Sequence, residues 1–113
     1  CFEPYAARSP FETYILQKNH QACFKDISKD ESKEFAYIAR NTLIKIHKSL
    51  NNPDYNYLIS SSPPQEANEE YYHWHMKIVP KVSAVAGFEL GSGIFINTVI
   101  PEEAAKFLKA IPV

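Results

Sequence analysis

The stretch Tyr71-Tyr72-His73-Trp74-His75-Met76-Lys77-Ile78-Val79 decides how this 113-residue chain is read. It is dense in aromatic and β-branched residues and alternates, so it predicts a strand. With a period of two, Tyr72, Trp74, Met76 and Ile78 point one way and form a core face. Tyr71, His73, His75, Lys77 and Val79 point the other way. Two imidazoles at this spacing lie side by side, roughly 7 Å apart at their Cα atoms. Such a pair can hold a metal ion, meet a phosphate, or act as a nucleophile and its neighbour. It is equally what an ordinary half-exposed strand face carries.

The flanking segments give the rest of the fold. Phe11–Gln17 (FETYILQ) follows Pro10 and reads as a strand, as does Tyr55–Ser61 (YNYLISS). Ser28 and Glu31 have the spacing of a capping box. Beyond them Phe35, Ile38, Thr42, Leu43, Ile46 and Leu50 recur at helical spacing, opposite Lys33, Glu34, Arg40, Asn41, Lys45 and Lys48. This predicts one long amphipathic helix ended by Asn51, Asn52 and Pro53. Pro63–Glu70 is polar and Pro-led, a surface loop in which Glu69 and Glu70 are solvated. Ile94–Thr98 reads as a short strand. Pro101, followed by Glu102 and Glu103, opens a short helix through Lys109. The class is α+β, an antiparallel sheet with helices on one face.

Composition narrows the function. Hydrophobic residues make up 45% and charged residues 22%, with 12 Lys+Arg against 13 Asp+Glu. These are the proportions of one globular domain. No global basic field exists to hold nucleic acid, and no apolar run approaches the ~20 residues of a membrane span. Cys1 and Cys23 are not spaced as CxxC and make no disulfide scaffold, so a cytoplasmic setting is expected. The only Met is Met76 and the chain begins at Cys1, so residues are expected to have been removed upstream. A lipidated N-terminal Cys is normally followed by a polar tether; here Phe2, Pro4, Tyr5, Ala6 and Ala7 follow, and the expectation is a fragment.

Two other features carry candidate chemistry. His20 closes the first strand and becomes a ligand candidate only if that strand lies near His73. His47, between Ile46 and Lys48, is read as solvated. All three glycines fall in Gly87-Phe88-Glu89-Leu90-Gly91-Ser92-Gly93. Glycine permits positive φ and close backbone approach. The segment is therefore either an ordinary turn or a ligand loop in which Glu89 accepts hydroxyl hydrogen bonds. It matches neither GxGxxG nor a Walker loop, and GxSxG is absent.

Taken in order, several short motifs resemble one family. They are Pro4-Tyr5-Ala6-Ala7, Pro10-Phe11-Glu12, Lys18-Asn19-His20, Asn52-Pro53-Asp54-Tyr55-Asn56, His73 through Pro80, Ala86 through Gly93, Ile96-Asn97 and Pro101 through Ala105. Together they resemble the C-terminal half of galactose-1-phosphate uridylyltransferase-like proteins, in the histidine-triad superfamily. The resemblance implies a histidine-triad-like domain, residues 1–113, with about four to five antiparallel strands, one long helix and one short one. It implies a parent enzyme of two tandem domains, truncated here on the N-terminal side. In that reaction a sugar nucleotide passes its nucleoside monophosphate to a His, and a sugar 1-phosphate collects it. An ADP-glucose phosphorylase-type adenylyltransferase is the alternative, with a stand-alone histidine-triad hydrolase using His75 behind it.

The resemblance also distributes roles. The reacting His belongs to a His-Pro-His motif in the other half, so no catalytic residue is expected here. His75 stands where single-domain relatives keep their nucleophile, but Lys77 replaces their third His. Gly87, Phe88, Glu89 and Asn97 are the expected substrate-binding residues. Ser83 and Ala84 stand where the classical enzyme has basic residues. His20 and His73 are implied as two ligands of a structural zinc site completed by an upstream CxxC. A second metal type, using His73 and His75 with a further His, is opposed by Ser60 at the further position. Zinc is implied ahead of iron. The implied partners are sugar nucleotide, sugar 1-phosphate, the N-terminal half and a second copy in a homodimer.

Overall fold

The computed structural model describes every residue except 64 and 66–68. The expected Pro63–Glu70 loop therefore lies partly outside the described residues. Strand β1 is Thr13–Ile15, helix α1 Lys29–Ser49, β2 Tyr55–Ser60, β3 His75–Pro80, α2 Gly87–Ser92 and α3 Pro101–Ala110. A single 3₁₀ turn, Phe24–Asp26, precedes α1. The sheet is antiparallel in the order β1-β3-β2, with Tyr14 opposite Lys77 and Leu58 opposite Lys77 from the other side.

Helix α1 forms where its local signals place it. The Glu31 N–H donates to Ser28 Oγ at 3.2 Å and the Ser28 N–H to Glu31 Oε2 at 2.9 Å, which closes both free donors. Thr42 and Ile46 are buried, and Phe35, Ala39, Leu43 and Leu50 pack beside them on Ile15, Met76, Ile78, Ala104 and Leu108. Lys45 Nζ donates to the carbonyls of Leu108 and Lys109, and Lys48 Nζ to that of Pro112. These ammonium groups satisfy carbonyls at the C-terminal end of α3, where a cation is favoured. His47 is exposed and bonds Asn52 Oδ1 at 2.8 Å.

Among the described residues the sheet is smaller than the expected four to five strands, with three strands and one isolated bridge, Phe2 to Tyr14. Phe11–Gln17 shortens to β1 because Phe11 takes φ 59°, a left-handed conformation costly for a bulky residue. Its ring is buried, 6.1 Å from Phe107, and Thr13 Oγ1 donates to its carbonyl. Ile94–Thr98 is not a strand: strand preference is a fit to a pleated, half-buried surface, and among the described residues nothing pairs with it. Tyr71–Val79 starts pairing only at His75. Trp74, before it, sends its N–H to the Gln21 carbonyl instead. Among the described residues no helix is long and apolar enough to cross a membrane.

Candidate functional site

The turn after β1 brings His20 to His73. Their ring centroids are 5.4 Å apart in an edge-on arrangement. The approach is enforced by Gln21, whose carbonyl takes the Trp74 N–H and whose Oε1 accepts from Trp74 Nε1 and Gln17 Nε2, each at 2.9 Å. Gln21 Nε2 donates to Asp26 O at 2.8 Å and ties the turn to the 3₁₀ segment. Trp74 is 1% exposed between Phe24 and Phe35, so this corner is clamped by packing. His73 Nε2 is shielded from solvent and has no hydrogen-bond partner among the described residues. A buried nitrogen lone pair or N–H with no partner is costly, and a metal bond is one way to satisfy it. Two imidazoles this close have the donor chemistry of two ligands to one metal ion. Among the described residues no group of three or more His, Cys, Asp or Glu gathers around a common point.

His75 faces a different environment. Its ring stacks on Tyr14 at 5.2 Å and 10°, and Nδ1 lies 3.1 Å from the His73 carbonyl. Lys77 Nζ bonds Glu12 Oε1 at 2.9 Å and sits 5.4 Å from the Tyr14 ring centre. Glu12 is 3% exposed, and its Oε2 also accepts the Arg8 N–H. Burial pulls the Lys77 ammonium down, but the Glu12 bond and charge, with Tyr14, raise it above its ordinary range. The two His residues of the motif are thus not one pair. His73 belongs with His20, and His75 with Tyr14, beside the Glu12–Lys77 ion pair.

The glycine segment is a short helix rather than an open loop. Gly93 closes it at φ 71°, and at Gly87 and Gly91 an added Cβ would meet nothing within 4 Å. Glycine is therefore required by backbone geometry only at Gly93. Phe88 is exposed, and Glu89 Oε2 accepts the Ala86 N–H at 3.1 Å. Asn97 Nδ2 donates to Ala7 O at 3.1 Å and Ser9 O at 3.4 Å, while its Oδ1 accepts the Val99 N–H. Its amide is engaged in holding the Ala7–Ser9 segment against residues 97–99.

Residues absent from the sequence reading complete this region. A cavity of about 180 Å³ opens between Arg8, Ser9, Lys81, Ser83, Glu89 and Phe95. The Arg8 guanidinium lies 5.2 Å from the Phe95 ring centre. A larger cavity of about 680 Å³ lies on the helix side, lined by Glu3, Thr42, Lys45 and Leu108 among others. Both Glu3 carboxylate oxygens are shielded and have no hydrogen-bond partner among the described residues, and burial pushes the group up to about 7. No periodicity or motif marks Arg8, Lys81 or Glu3, because contacts between distant segments place them.

No family model matches the chain. The chain is 40% identical over 110 residues to an ADP-glucose phosphorylase from Arabidopsis thaliana, covering 96% of this chain and 31% of the relative. It is 32% identical over 114 residues to a galactose-1-phosphate uridylyltransferase from Thermotoga maritima, covering 94% and 36% respectively. A crystal structure of an ADP-glucose phosphorylase from Arabidopsis thaliana with bound ADP-glucose superposes with TM-score 0.91, at 38% identity over 99% of this chain and 37% of that one. A histidine-triad-like protein from Bartonella henselae, 17% identical and covering 95% of this chain and 75% of that one, has TM-score 0.66 and shares the fold. The chain spans about a third of the length of the curated relatives it matches. With its ordered motifs, its α+β sheet and these relatives, the chain belongs to the galactose-1-phosphate uridylyltransferase-like family of the histidine-triad superfamily.

Proposed function

We propose that this chain is the C-terminal histidine-triad-like domain of a sugar-1-phosphate nucleotidyltransferase. It contributes binding surfaces and half a metal site to a longer enzyme whose reacting His lies elsewhere. The observation that carries this is the near-complete superposition, at 38% identity, on the ADP-glucose phosphorylase crystallised with ADP-glucose. A reacting His elsewhere accords with the lack of a His-Pro-His run in this sequence; His75, with Nδ1 held by the His73 carbonyl, keeps Nε2 as its free nitrogen and is the residue that the test below must exclude.

In this reading the sugar 1-phosphate meets the α2 region, with Glu89 taking sugar hydroxyls through the oxygen its own backbone leaves free. Zinc would be held by His20 and His73 together with thiolates outside this chain. Bound there it supplies structural cross-linking, since four protein ligands leave no open position for substrate. The N-terminal half of the parent protein and a second copy are the proposed protein partners, and the setting is cytoplasmic.

The test uses the full-length protein and this chain alone. UDP-glucose and ADP-glucose are each offered with a sugar 1-phosphate, because relatives named for both chemistries cover this chain. Turnover by the full-length protein, unchanged in kind by His75→Ala, is the expected outcome. Robust turnover by these 113 residues, abolished by His75→Ala, would overturn it.

A further inference from the structure

The 180 Å³ cavity beside α2 contains a charge arrangement that the motifs do not anticipate. Its volume is below the ~300–1,000 Å³ of pockets that enclose drug-sized ligands. It therefore suits one end of a substrate rather than a whole nucleotide. Two cations border it, Arg8 and Lys81, and among the described residues neither forms an ion pair with a carboxylate. The third charged group is Glu89, with one oxygen committed to the Ala86 N–H. Ser83 and Ala84 line the same space and bring no charge.

Arg8 is exposed, yet its backbone is fixed. The carbonyls on either side of it, Ala7 and Ser9, accept from Asn97 Nδ2, and its own N–H donates to Glu12 Oε2 at 3.2 Å. The guanidinium rests 5.2 Å from the centre of the Phe95 ring, which limits where the side chain points. A planar guanidinium with free N–H donors matches a phosphate in a way a single ammonium does not.

We infer that Arg8, assisted by Lys81, holds the phosphate of the sugar 1-phosphate in this cavity while Glu89 faces the sugar hydroxyls. Arg8 is then a specificity-determining residue, and Asn97 positions it by pinning both flanking carbonyls. This rests on the transferase reading above, and it adds the group that recognises the acceptor's phosphate.

The experiment uses the full-length protein. Calorimetric binding of glucose 1-phosphate, inorganic phosphate and free glucose is measured for the wild type, Arg8→Ala, Arg8→Lys and Lys81→Ala, beside steady-state KM and kcat. A lost charge-assisted bond of about 1.5–3 kcal/mol corresponds to a weakening of roughly tenfold to a hundredfold. Arg8→Ala should show that loss for glucose 1-phosphate and inorganic phosphate, with the change in KM rather than kcat and little change for free glucose. Arg8→Lys should recover part of it, and Lys81→Ala should show a smaller loss. A wild type that binds the sugar phosphate, with a folded Arg8→Ala that binds it equally well, overturns the assignment of Arg8 and leaves the transferase reading intact. A wild type that neither binds nor turns over any sugar phosphate removes both.

Discussion

His73 and His75 are separated by one residue, and the fold gives them opposite chemistry. His73 lies before β3, edge-on to His20, with a shielded Nε2 that no group among the described residues satisfies. His75 begins β3, is stacked on Tyr14, and has Nδ1 turned back to its own chain. Trp74 between them is the divider, since its side chain and its N–H both bond Gln21 and its ring fills the core. The imidazole with a shielded, unsatisfied nitrogen is the one proposed as a metal ligand. His75 is fixed at one nitrogen by its own backbone and at one ring face by Tyr14.

Metal binding should separate the two imidazoles most strongly. In the full-length protein, His73→Ala and His20→Ala should each reduce bound zinc to background, while His75→Ala leaves it unchanged, as read by elemental analysis. In this chain alone, zinc added at neutral pH should broaden the ring resonances of His20 and His73 before those of His75. Equal zinc loss in all three variants would mean that the two halves of the motif act as one site after all.

The next effect is on stability. Trp74→Ala removes a fully buried ring and the partner of Gln21, and should cost about 3–5 kcal/mol in denaturant unfolding. It should also separate His20 from His73. Glu12→Gln leaves Lys77 mostly buried without its partner and should cost about 1–3 kcal/mol. That is below the full penalty of a broken buried pair because Lys77 keeps some exposure to water. Lys77 is raised above its ordinary value of 10.5. The ion pair's contribution is therefore complete below pH 10.5 and fades only as pH rises through the raised value. The gap between wild type and Glu12→Gln should be constant from pH 6 to about 10.

The smallest effect contrasts Glu12 with a second acid on the other side of β1. Glu3 forms no ion pair among the described residues, and burial raises it from 4.5 to about 7. The folded state then holds a proton the unfolded state has released, so this group reduces stability as pH rises from 4.5 to about 7. Glu3→Gln should match the wild type near pH 4. At pH 8 it should melt higher by about 2–5 °C, since 1 kcal/mol moves a domain of this size by about 4 °C or more. A variant that melts lower at pH 8 would show that the carboxylate has a partner in solution.

Much of the fold was legible because its signals are local. The Ser28–Glu31 box, the apolar period of α1 and Pro101 ahead of two glutamates all act within a turn or two of chain. The misplaced parts depend on partners far away in sequence. Phe11 delays the start of β1 because its ring is needed in the core, and among the described residues Ile94–Thr98 has no strand to join. The alternation holds in burial, with Trp74, Met76 and Ile78 in the core, but pairing starts only at His75, so His73 lies ahead of the strand beside His20. His20 and His73 could be named together only by resemblance. The cations at Arg8 and Lys81 carry no local mark, since a loop from one end of the chain folds onto a segment from the other.

That last contact has a consequence for how the molecule acquires its shape. The bonds from Asn97 to Ala7 and Ser9 join residues 90 and 88 positions apart, so they close nearly the whole chain into a ring. Contacts of such separation cost the most loop entropy and gain least before the rest has collapsed. The Arg8 side of the cavity is therefore among the last regions to assemble and the first to open. Substitution at Asn97 should hasten unfolding while leaving the refolding rate almost unchanged.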